Sequence, residues 1–179
     1  MGSATESTSQ PQSINTPGIT YRFHRPGDLG MIVHRHGVVY KEDLGCDEPL
    51  FEGYVAKLAA DFLMNYDPAK ERCWIAEQDG QFIGSIALIK DPKDDTTVDL
   101  RLFLVEAKAR KLGVGKKLME LCMDFAKETG YRRVRLRTDC SLEAARALYR
   151  RHGFEIVEKK PEKLFSFEKG GEIWAKELQ

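Results

Sequence analysis

Apolar and polar residues alternate along several short stretches of the chain, and this period of two is typical of β-strands. Between two of these stretches lies Gln78-Asp79-Gly80-Gln81, whose central Asp-Gly pair predicts a hairpin turn. A second turn is expected over residues 91–96. The pattern predicts strands at residues 21–25, 73–77, 82–90, 98–105, 133–138, 154–157 and 173–178.

Four other stretches predict helices. In three of them the apolar residues recur every three to four positions, so that they form one face of a helix. The helices are expected at residues 29–36, 49–65, 114–126 and 142–149. The order β, αα, βββ, α, β, α, ββ predicts a single α/β domain. Its sheet is expected to be mixed but mostly antiparallel, with six to seven strands flanked by about four helices.

The first 18 residues differ in composition from the rest of the chain. They are mostly Ser, Thr, Gln, Asn and Pro, and Glu6 is the one charged residue among them. Such a segment buries too little apolar surface to offset its ordering entropy, so we predict a disordered tail at 1–18 and a folded domain at 19–179. The tail lacks the basic start and apolar run of a secretory signal. No stretch of the chain has the roughly 18 apolar residues that span a bilayer. We therefore expect a cytoplasmic protein without a membrane partner.

The cysteines and histidines do not form a pattern typical of a metal site. The four cysteines are irregularly spaced, at Cys46, Cys73, Cys122 and Cys140. Without an export signal we expect them to be free thiols. His34, His36 and Cys46 lie near one another in sequence, but nothing fixes their geometry, so we predict no metal.

Positive charge is concentrated in one part of a chain whose formal net charge is zero. Residues 106–152 contain 13 Lys and Arg and 6 Asp and Glu. A neutral protein with one basic part is typical of a localised anion site rather than of a surface that coats nucleic acid. We therefore expect no nucleic-acid partner.

The segment from Val105 to Lys117 joins a predicted strand to a predicted helix through two glycines, Gly113 and Gly115. The first amides of a helix lack intrahelical partners and lie at the positive end of its dipole, so they attract anions. Glycine has no Cβ, which lets phosphate oxygens approach the backbone closely. Four basic residues surround these glycines: Arg110, Lys111, Lys116 and Lys117. The spacing fits neither a P-loop nor the dinucleotide fingerprint, whose third glycine is replaced by Leu118.

Two motifs give the chain a family resemblance. Arg110-x-x-Gly113-x-Gly115 resembles the pyrophosphate loop of the GNAT acetyltransferases, and Leu148-Tyr149-x-x-x-Gly153-Phe154 resembles that family's second signature. Shorter segments within residues 21–178, such as Trp74-Ile75-Ala76-Glu77, are most similar to the GNAT domain of bacterial MarR–GNAT fusion proteins. Two positions depart from the family pattern, because Ala107 replaces a usual proline and Lys111 a common glycine.

The resemblance implies acetyl-CoA as cosubstrate and a sheet that splays at the fourth strand, which ends at Val105. The pyrophosphate would lie on the amides of residues 111–116, and backbone groups of residues 103–105 would bind the pantetheine arm. The implied cofactor-binding residues are Phe103, Leu104, Val105, Arg110, Lys111, Leu112, Gly113, Val114, Gly115 and Lys116.

Acyl transfer requires a neutral amine, an oxyanion donor and a proton for the leaving thiolate. Making a Lys-like amine neutral at pH 7 costs about 4.6 kcal/mol, so a base or a desolvated environment is expected. By resemblance, Tyr149 is the candidate proton donor to sulfur, and a backbone N–H near Val105 is the candidate oxyanion donor. For the base, Asp99 and Arg101 share strand parity with Phe103 and Val105 and so are expected to face the cleft. Other candidates for the base are Glu77, Glu52, His34, His36 or a chain of waters.

The sequence thus predicts an N-acetyltransferase that acts on a primary amine, with a small molecule as the favoured acceptor. Acetylation of protein lysines or N-termini, or an inactive coenzyme-A-binding regulator, are the alternatives. A homodimer is left open. A small cationic amine is favoured because acidic residues gather in the first two predicted helices and the segment between them. These residues are Glu42, Asp43, Asp47, Glu48, Glu52 and Asp61.

Overall fold

The computed structural model describes residues 18–160 and 170–178. Of the predicted tail, only Gly18 lies within these ranges, so the prediction of disorder falls outside the described residues. The strands of the described part are β1 (Ile19–Phe23), β2 (Arg72–Gln78), β3 (Gln81–Asp91), β4 (Asp94–Val105), β5 (Arg133–Asp139), β6 (Glu155–Lys160) and β7 (Gly171–Glu177). The α-helices are α1 (Asp28–Leu44), α2 (Pro49–Asn65), α3 (Val114–Glu128) and α4 (Glu143–Arg151).

The strands form one sheet in the order β1-β2-β3-β4-β5-β7-β6. Only β4 and β5 run parallel, with α3 in the connection between them, and the other neighbouring strands are antiparallel. The parallel pairing extends from Thr97 opposite Arg133 to Leu100 opposite Leu136. Beyond that point β4 and β5 each continue without pairing to the other, which opens the sheet between them. The predicted fold, with its splay at the fourth strand, is confirmed.

Helices cover both faces of the sheet and bury two separate apolar cores. On one face the buried side of α3, including Leu118 and Cys122, packs with Tyr149 of α4 against Ile86 and Leu136 of the sheet. The other core joins α1 and α2 to the opposite face; its members include Leu29, Ile32, Phe51, Val55, Phe62, Ile75 and Ala87. The sheet therefore separates an α3/α4 face from an α1/α2 face.

A bulge in β4 changes which face its side chains occupy. The β3–β4 register shifts between Ser85 and Ala87, and Leu102 has a φ of 51°. As a result, Leu100 belongs to the α3/α4 core, whereas Leu102 belongs to the α1/α2 core.

This bulge contradicts the expected parity of β4. Arg101 lies opposite Ala87, a member of the α1/α2 core, and Asp99 shares the face of Arg101. Phe103 and Val105 instead pack against the α3/α4 core. The prediction that all four face the same cleft is therefore wrong, because strict alternation ends where the strand bulges.

Two elements are longer than their patterns predict. Helix α1 continues past His36 to Leu44, and Gly37 lies within it at a close approach to α2. A Cβ at Gly37 would lie 3.1 Å from Oε2 of Glu52. Strand β4 begins at Asp94, within the expected turn, because that carboxylate accepts hydrogen bonds from the Thr96 amide and the Thr97 hydroxyl. Among the described residues, no helix is both long and apolar enough to cross a membrane.

Candidate active site

The segment between β4 and α3 turns sharply after the end of the strand. The amide of Glu106 still donates to Ile83 O at 2.9 Å, and a 3-10 turn follows over Ala107–Ala109. Lys111 and Gly113 then take left-handed backbone conformations, with φ of 68° and 81°. Gly113 suits this conformation, whereas Lys111 adopts it at a cost of about 1 kcal/mol because its Cβ crowds the backbone.

The first turn of α3 presents unpaired amides. The first helical hydrogen bond runs from Lys117 N to Gly113 O at 3.0 Å, and no side chain caps the helix at Gly113. The N–H groups of Val114, Gly115 and Lys116 therefore precede the helical ladder and suit an anion.

The space at the two glycines fits a phosphate group. A Cβ added to Gly113 would meet no atom within 4 Å, so the region in front of these amides is open. A Cβ at Gly115 would make ordinary van der Waals contact with Phe103 and Val105, each at 3.5 Å, where α3 packs on the end of β4. The open space at Gly113 and the unpaired amides beside it thus fit the pyrophosphate group that the resemblance implies.

Helix α1 is tied to this loop by two ion pairs. Arg35 donates to both carboxylate oxygens of Glu106, at 2.6 and 2.8 Å. The guanidinium of Arg110, predicted to add charge to the phosphate site, donates to Asp43 of α1. The charge of Arg110 is therefore partly compensated by α1, while Lys116 is largely exposed and lies 3.7 Å from Glu120.

Tyr149 reaches the splay from the α3/α4 face. Its ring is buried, with centroids 6.3 Å from Phe103 and 6.0 Å from Trp174. Burial raises the pKa of Tyr149 well above its usual value. The side chain is therefore a neutral phenol at physiological pH, the form that can donate a proton.

Three side chains lie near the splay on the α1/α2 face of the sheet. The sequence did not predict them as a group. His36 is buried, and its Nδ1 lies 2.8 Å from Ile32 O, so this nitrogen carries the proton. Its ring stacks on that of Tyr40 with centroids 5.8 Å apart. Burial, followed by the charge of Asp139, raises the pKa of Tyr40 to about 12, and Asp139 is the last residue of β5.

The two carboxylates predicted as catalytic are held in ion pairs. Glu77 accepts from Arg22 at 2.5 Å, and the same guanidinium binds Asp28 at the start of α1. Asp99 accepts from Arg135 at 2.7 and 3.0 Å and from Arg101 at 3.0 Å. Their partners lie on β1, β4 and β5, so the structure does not group either carboxylate with Tyr149.

The remaining candidates lie between α1 and α2. His34 and Glu52 line an open groove of about 600 Å³, together with Lys41, Asp47, Glu48 and other residues of the two helices. Within residues 18–160 and 170–178, no group of three or more His, Cys, Asp or Glu residues is placed to hold a metal ion. The four cysteines are free in the structure.

Several solved structures that resemble this chain are named as acetyltransferases. One comes from Streptococcus agalactiae, with a TM-score of 0.73 and 23% identity over 90% of this chain and 99% of that protein. Another is yncA from Salmonella typhimurium with its cofactor acetyl-CoA, with a TM-score of 0.66 and 17% identity over 91% of this chain and 94% of that protein. At these identities the likeness supports the fold alone.

Sequence comparisons add the family. The chain is 34% identical over 100 residues to N-acetyltransferase family 8 member 3 of Rattus norvegicus, which covers 54% of this chain and 44% of the relative. It spans about half the length of the curated relatives it matches. The model of the acetyltransferase (GNAT) family matches residues 39–154, which include the loop at Gly113 and the segment from Leu148 to Phe154. With most of its length in that match, the chain belongs to the GNAT acetyltransferase family.

Proposed function

We propose that this protein transfers the acetyl group of acetyl-CoA to the primary amine of a small molecule. The observation that carries the proposal is the pairing of two features at the splay of the sheet. Unpaired amides at the start of α3 face open space, and the buried phenol of Tyr149 lies beside the end of β4. Family membership supports the cosubstrate, and the acceptor class is our inference.

The loop residues would hold the cosubstrate through its phosphates. The amides of Val114, Gly115 and Lys116 would bind the pyrophosphate, with Lys111 and Lys116 adding charge. The backbone edge of Phe103 to Val105 that faces β5 has no strand partner in the described part, and Arg110 Nε donates to Val105 O at 3.4 Å. The groups of this edge that are left unpaired would bind the amide groups of the pantetheine arm. When bound, acetyl-CoA supplies the thioester.

Tyr149 would donate the proton that the leaving sulfur needs. The buried phenol is protonated before the reaction, and the surrounding apolar rings strengthen its hydrogen bond to a developing anion. This feature supports catalysis over a purely regulatory coenzyme-A-binding role, because a binding module has no need of a proton donor at this place.

Support for a cationic acceptor from the acidic residues of α1 and α2 is weaker than the sequence suggests. Asp43, Asp47 and Asp61 are paired with Arg110, Lys41 and Lys57. Exposed pairs of this kind largely cancel in their long-range field. A preference for amines must therefore come from groups nearer the splay.

An acetyl-CoA turnover screen tests the proposal. Thiol release would be measured with small primary amines, acidic amino acids and lysine-containing peptides, using the full chain and its Tyr149→Phe variant. We expect small amines to be acetylated fastest, and Tyr149→Phe to lower kcat about 100-fold while the Kd of acetyl-CoA stays near the wild-type value. Faster turnover of peptides would contradict the small-molecule acceptor.

The homodimer, the cytoplasmic location and the special likeness to MarR–GNAT fusions stay predictions.

A further inference from the structure

One buried carboxylate oxygen at the splay receives no hydrogen bond. Asp139 is 6% exposed, and among the described residues no donor contacts its Oδ2. A buried, unpaired carboxylate oxygen is costly and is therefore rare in a folded protein. Five other buried side-chain atoms of the described residues also lack a partner, but Oδ2 of Asp139 is the one carboxylate oxygen among them, and a donor on a ligand would satisfy it.

The two oxygens of Asp139 have different surroundings. Oδ1 accepts the amide of Ser141 at 2.7 Å and its hydroxyl at 2.5 Å, which fixes the orientation of the carboxylate. Within the described part of the chain, Oδ2 has no such partner. The hydrogen bonds to Oδ1 thus hold the side chain in place and leave Oδ2 available to a donor on a ligand.

The strand geometry directs Asp139 to the open gap in the sheet. The pairing of β5 with β7 continues to Asp139 without a register shift, whereas its pairing with β4 ends at Leu136. Leu136 belongs to the α3/α4 core, so alternation places Thr138 on that face and Asp139 on the α1/α2 face. Asp139 therefore lies across the splay from Tyr149, on the side of Tyr40.

The groups that surround Asp139 leave it as a proton acceptor. Tyr40 on α1 and the adjacent Cys140 interact with its charge directly. One contact further away, His36 stacks on Tyr40, the phenol of Tyr149 interacts with that of Tyr40, and Arg146 and Glu172 lie beside Cys140. The carboxylate of Glu172 is bound by Arg146 at 2.9 and 3.1 Å and by the indole of Trp174 at 3.0 Å. Burial holds both phenols neutral and lowers the pKa of His36 to about 4, so His36 is also neutral at pH 7.

We infer that Oδ2 of Asp139 binds the ammonium group of the acceptor and removes its first proton, an inference that rests on the proposed function. One N–H bond breaks and an O–H bond forms on Asp139, which leaves a nitrogen lone pair. That lone pair forms the C–N bond as the C–S bond breaks, and the sulfur takes the proton of Tyr149. The second proton of the nitrogen restores the phenol, and the proton on Asp139 passes to solvent.

Asp139→Asn tests this role against a matched control, Ser141→Ala. Asparagine keeps an oxygen for both bonds from Ser141 and replaces Oδ2 by an NH2 group, which removes the charge and the basicity. Ser141→Ala removes a hydrogen bond to Oδ1 and leaves Oδ2 unchanged. The acceptor would be the fastest amine or peptide of the turnover screen, and kcat/KM would be measured from pH 6 to about pH 9, below the pKa of an alkylamine.

We expect Asp139→Asn to lower kcat/KM about 100-fold at pH 7, with acetyl-CoA affinity unchanged and the melting temperature not lowered. The loss should shrink as pH rises, because a variant without the base depends on the fraction of neutral amine, whereas the wild type does not. Ser141→Ala should lose less than about tenfold.

Three outcomes overturn the inference. Asp139→Asn could retain wild-type kcat/KM, it could lose the same factor at every pH, or Ser141→Ala could reproduce its loss. The last two outcomes would mean that Asp139 only stabilises the turn at residues 139–141. A wild-type protein that binds acetyl-CoA but acetylates no acceptor of the screen would overturn the proposed function, and the inference with it.

Discussion

Lys111 adopts a left-handed conformation, with φ of 68°, at a position where the GNAT loop commonly has glycine. A side chain costs about 1 kcal/mol in this conformation, because its Cβ crowds the following carbonyl. The residue therefore combines a useful positive charge with a strained backbone. Its presence shows that the loop is held in shape by its surroundings, including the ion pair of Arg35 with Glu106.

Replacing Lys111 with glycine should stabilise the protein. We expect Lys111→Gly to raise the free energy of unfolding by about 1 kcal/mol and the melting temperature by about 2–4 °C, since the strain is relieved. Lys111→Ala is the control, because alanine removes the charge but keeps the Cβ. An equal gain from Lys111→Ala in differential scanning calorimetry would assign the effect to charge instead of backbone strain.

His36 should make stability depend on pH. Burial lowers its pKa from 6.5 to about 4 in the folded protein. Between these values the unfolded chain binds a proton that the folded protein does not, so stability falls as pH decreases from 6.5 to about 4. The full effect is on the order of 3 kcal/mol.

Urea unfolding of the wild type and His36→Gln at several pH values measures this contribution. Other buried groups titrate in both proteins, so the difference between the two curves isolates His36. We expect that difference to change steadily between pH 6.5 and pH 4. A difference that is constant with pH would mean that His36 is not held neutral in the folded protein.

At the scale of the elements, α1 connects the two functional sides of the splay. Its ion pairs hold Glu106 and Arg110 of the loop. Its inner face carries the buried His36 and the partly buried Tyr40, which interacts with the charge of Asp139. The pairing of Arg110 with Asp43 is partly exposed and would compete with a phosphate for the same guanidinium. We therefore expect the affinity for acetyl-CoA to depend on a helix that lies on the opposite face of the sheet from α3.

Releasing Arg110 should tighten cofactor binding. We expect Asp43→Asn to lower the Kd of acetyl-CoA by about two- to fivefold, the worth of one exposed ion pair, and the gain to shrink with added salt. Lys57 pairs with Asp61 on the exposed side of α2, so Asp61→Asn is a control of equal charge change. Isothermal titration calorimetry would contradict the competition if both variants bound acetyl-CoA with the same affinity.

Local patterns predicted the elements, while features set by contacts between elements were missed. The strands and helices follow from periods of two and of three to four residues, and the loop at Gly113 follows from its glycines and charges. The bulge at Leu102 depends on pairing with β3, so alternation alone misplaced Asp99 and Arg101. Tyr40 was missed because α1 was expected to end at His36, although the helix continues to Leu44.

Asp139 illustrates the same limit at the site itself. In sequence, Asp139-Cys140-Ser141 reads as the turn that follows a strand, and Oδ1 indeed serves that turn. Only the end of the β4–β5 pairing and the approach of Tyr40 distinguish its second oxygen. From sequence alone, a carboxylate that stabilises a turn and also faces the gap between β4 and β5 looks the same as an ordinary turn residue.

In the whole molecule, the residues of the candidate site come from both faces of the sheet. The α3 side carries the basic loop, within residues 106–152 where 13 Lys and Arg outnumber 6 Asp and Glu. The α1/α2 side carries Asp139 and Tyr40, and the splay joins the two. Every later step depends on the binding of the acetyl-CoA phosphates by the amides in the first turn of α3.

Calorimetric titration of acetyl-CoA into Gly113→Asp, beside Gly113→Asn, tests this claim most directly. Both variants place a side chain of similar size in the open space before the amides and share the cost of a left-handed backbone, but only aspartate adds a negative charge. We predict native far-UV circular dichroism for both, moderately weaker binding for Gly113→Asn, and a further loss of about 100-fold for Gly113→Asp through repulsion of the phosphates. Wild-type affinity in Gly113→Asp, or equal affinities in the two variants, would contradict the account.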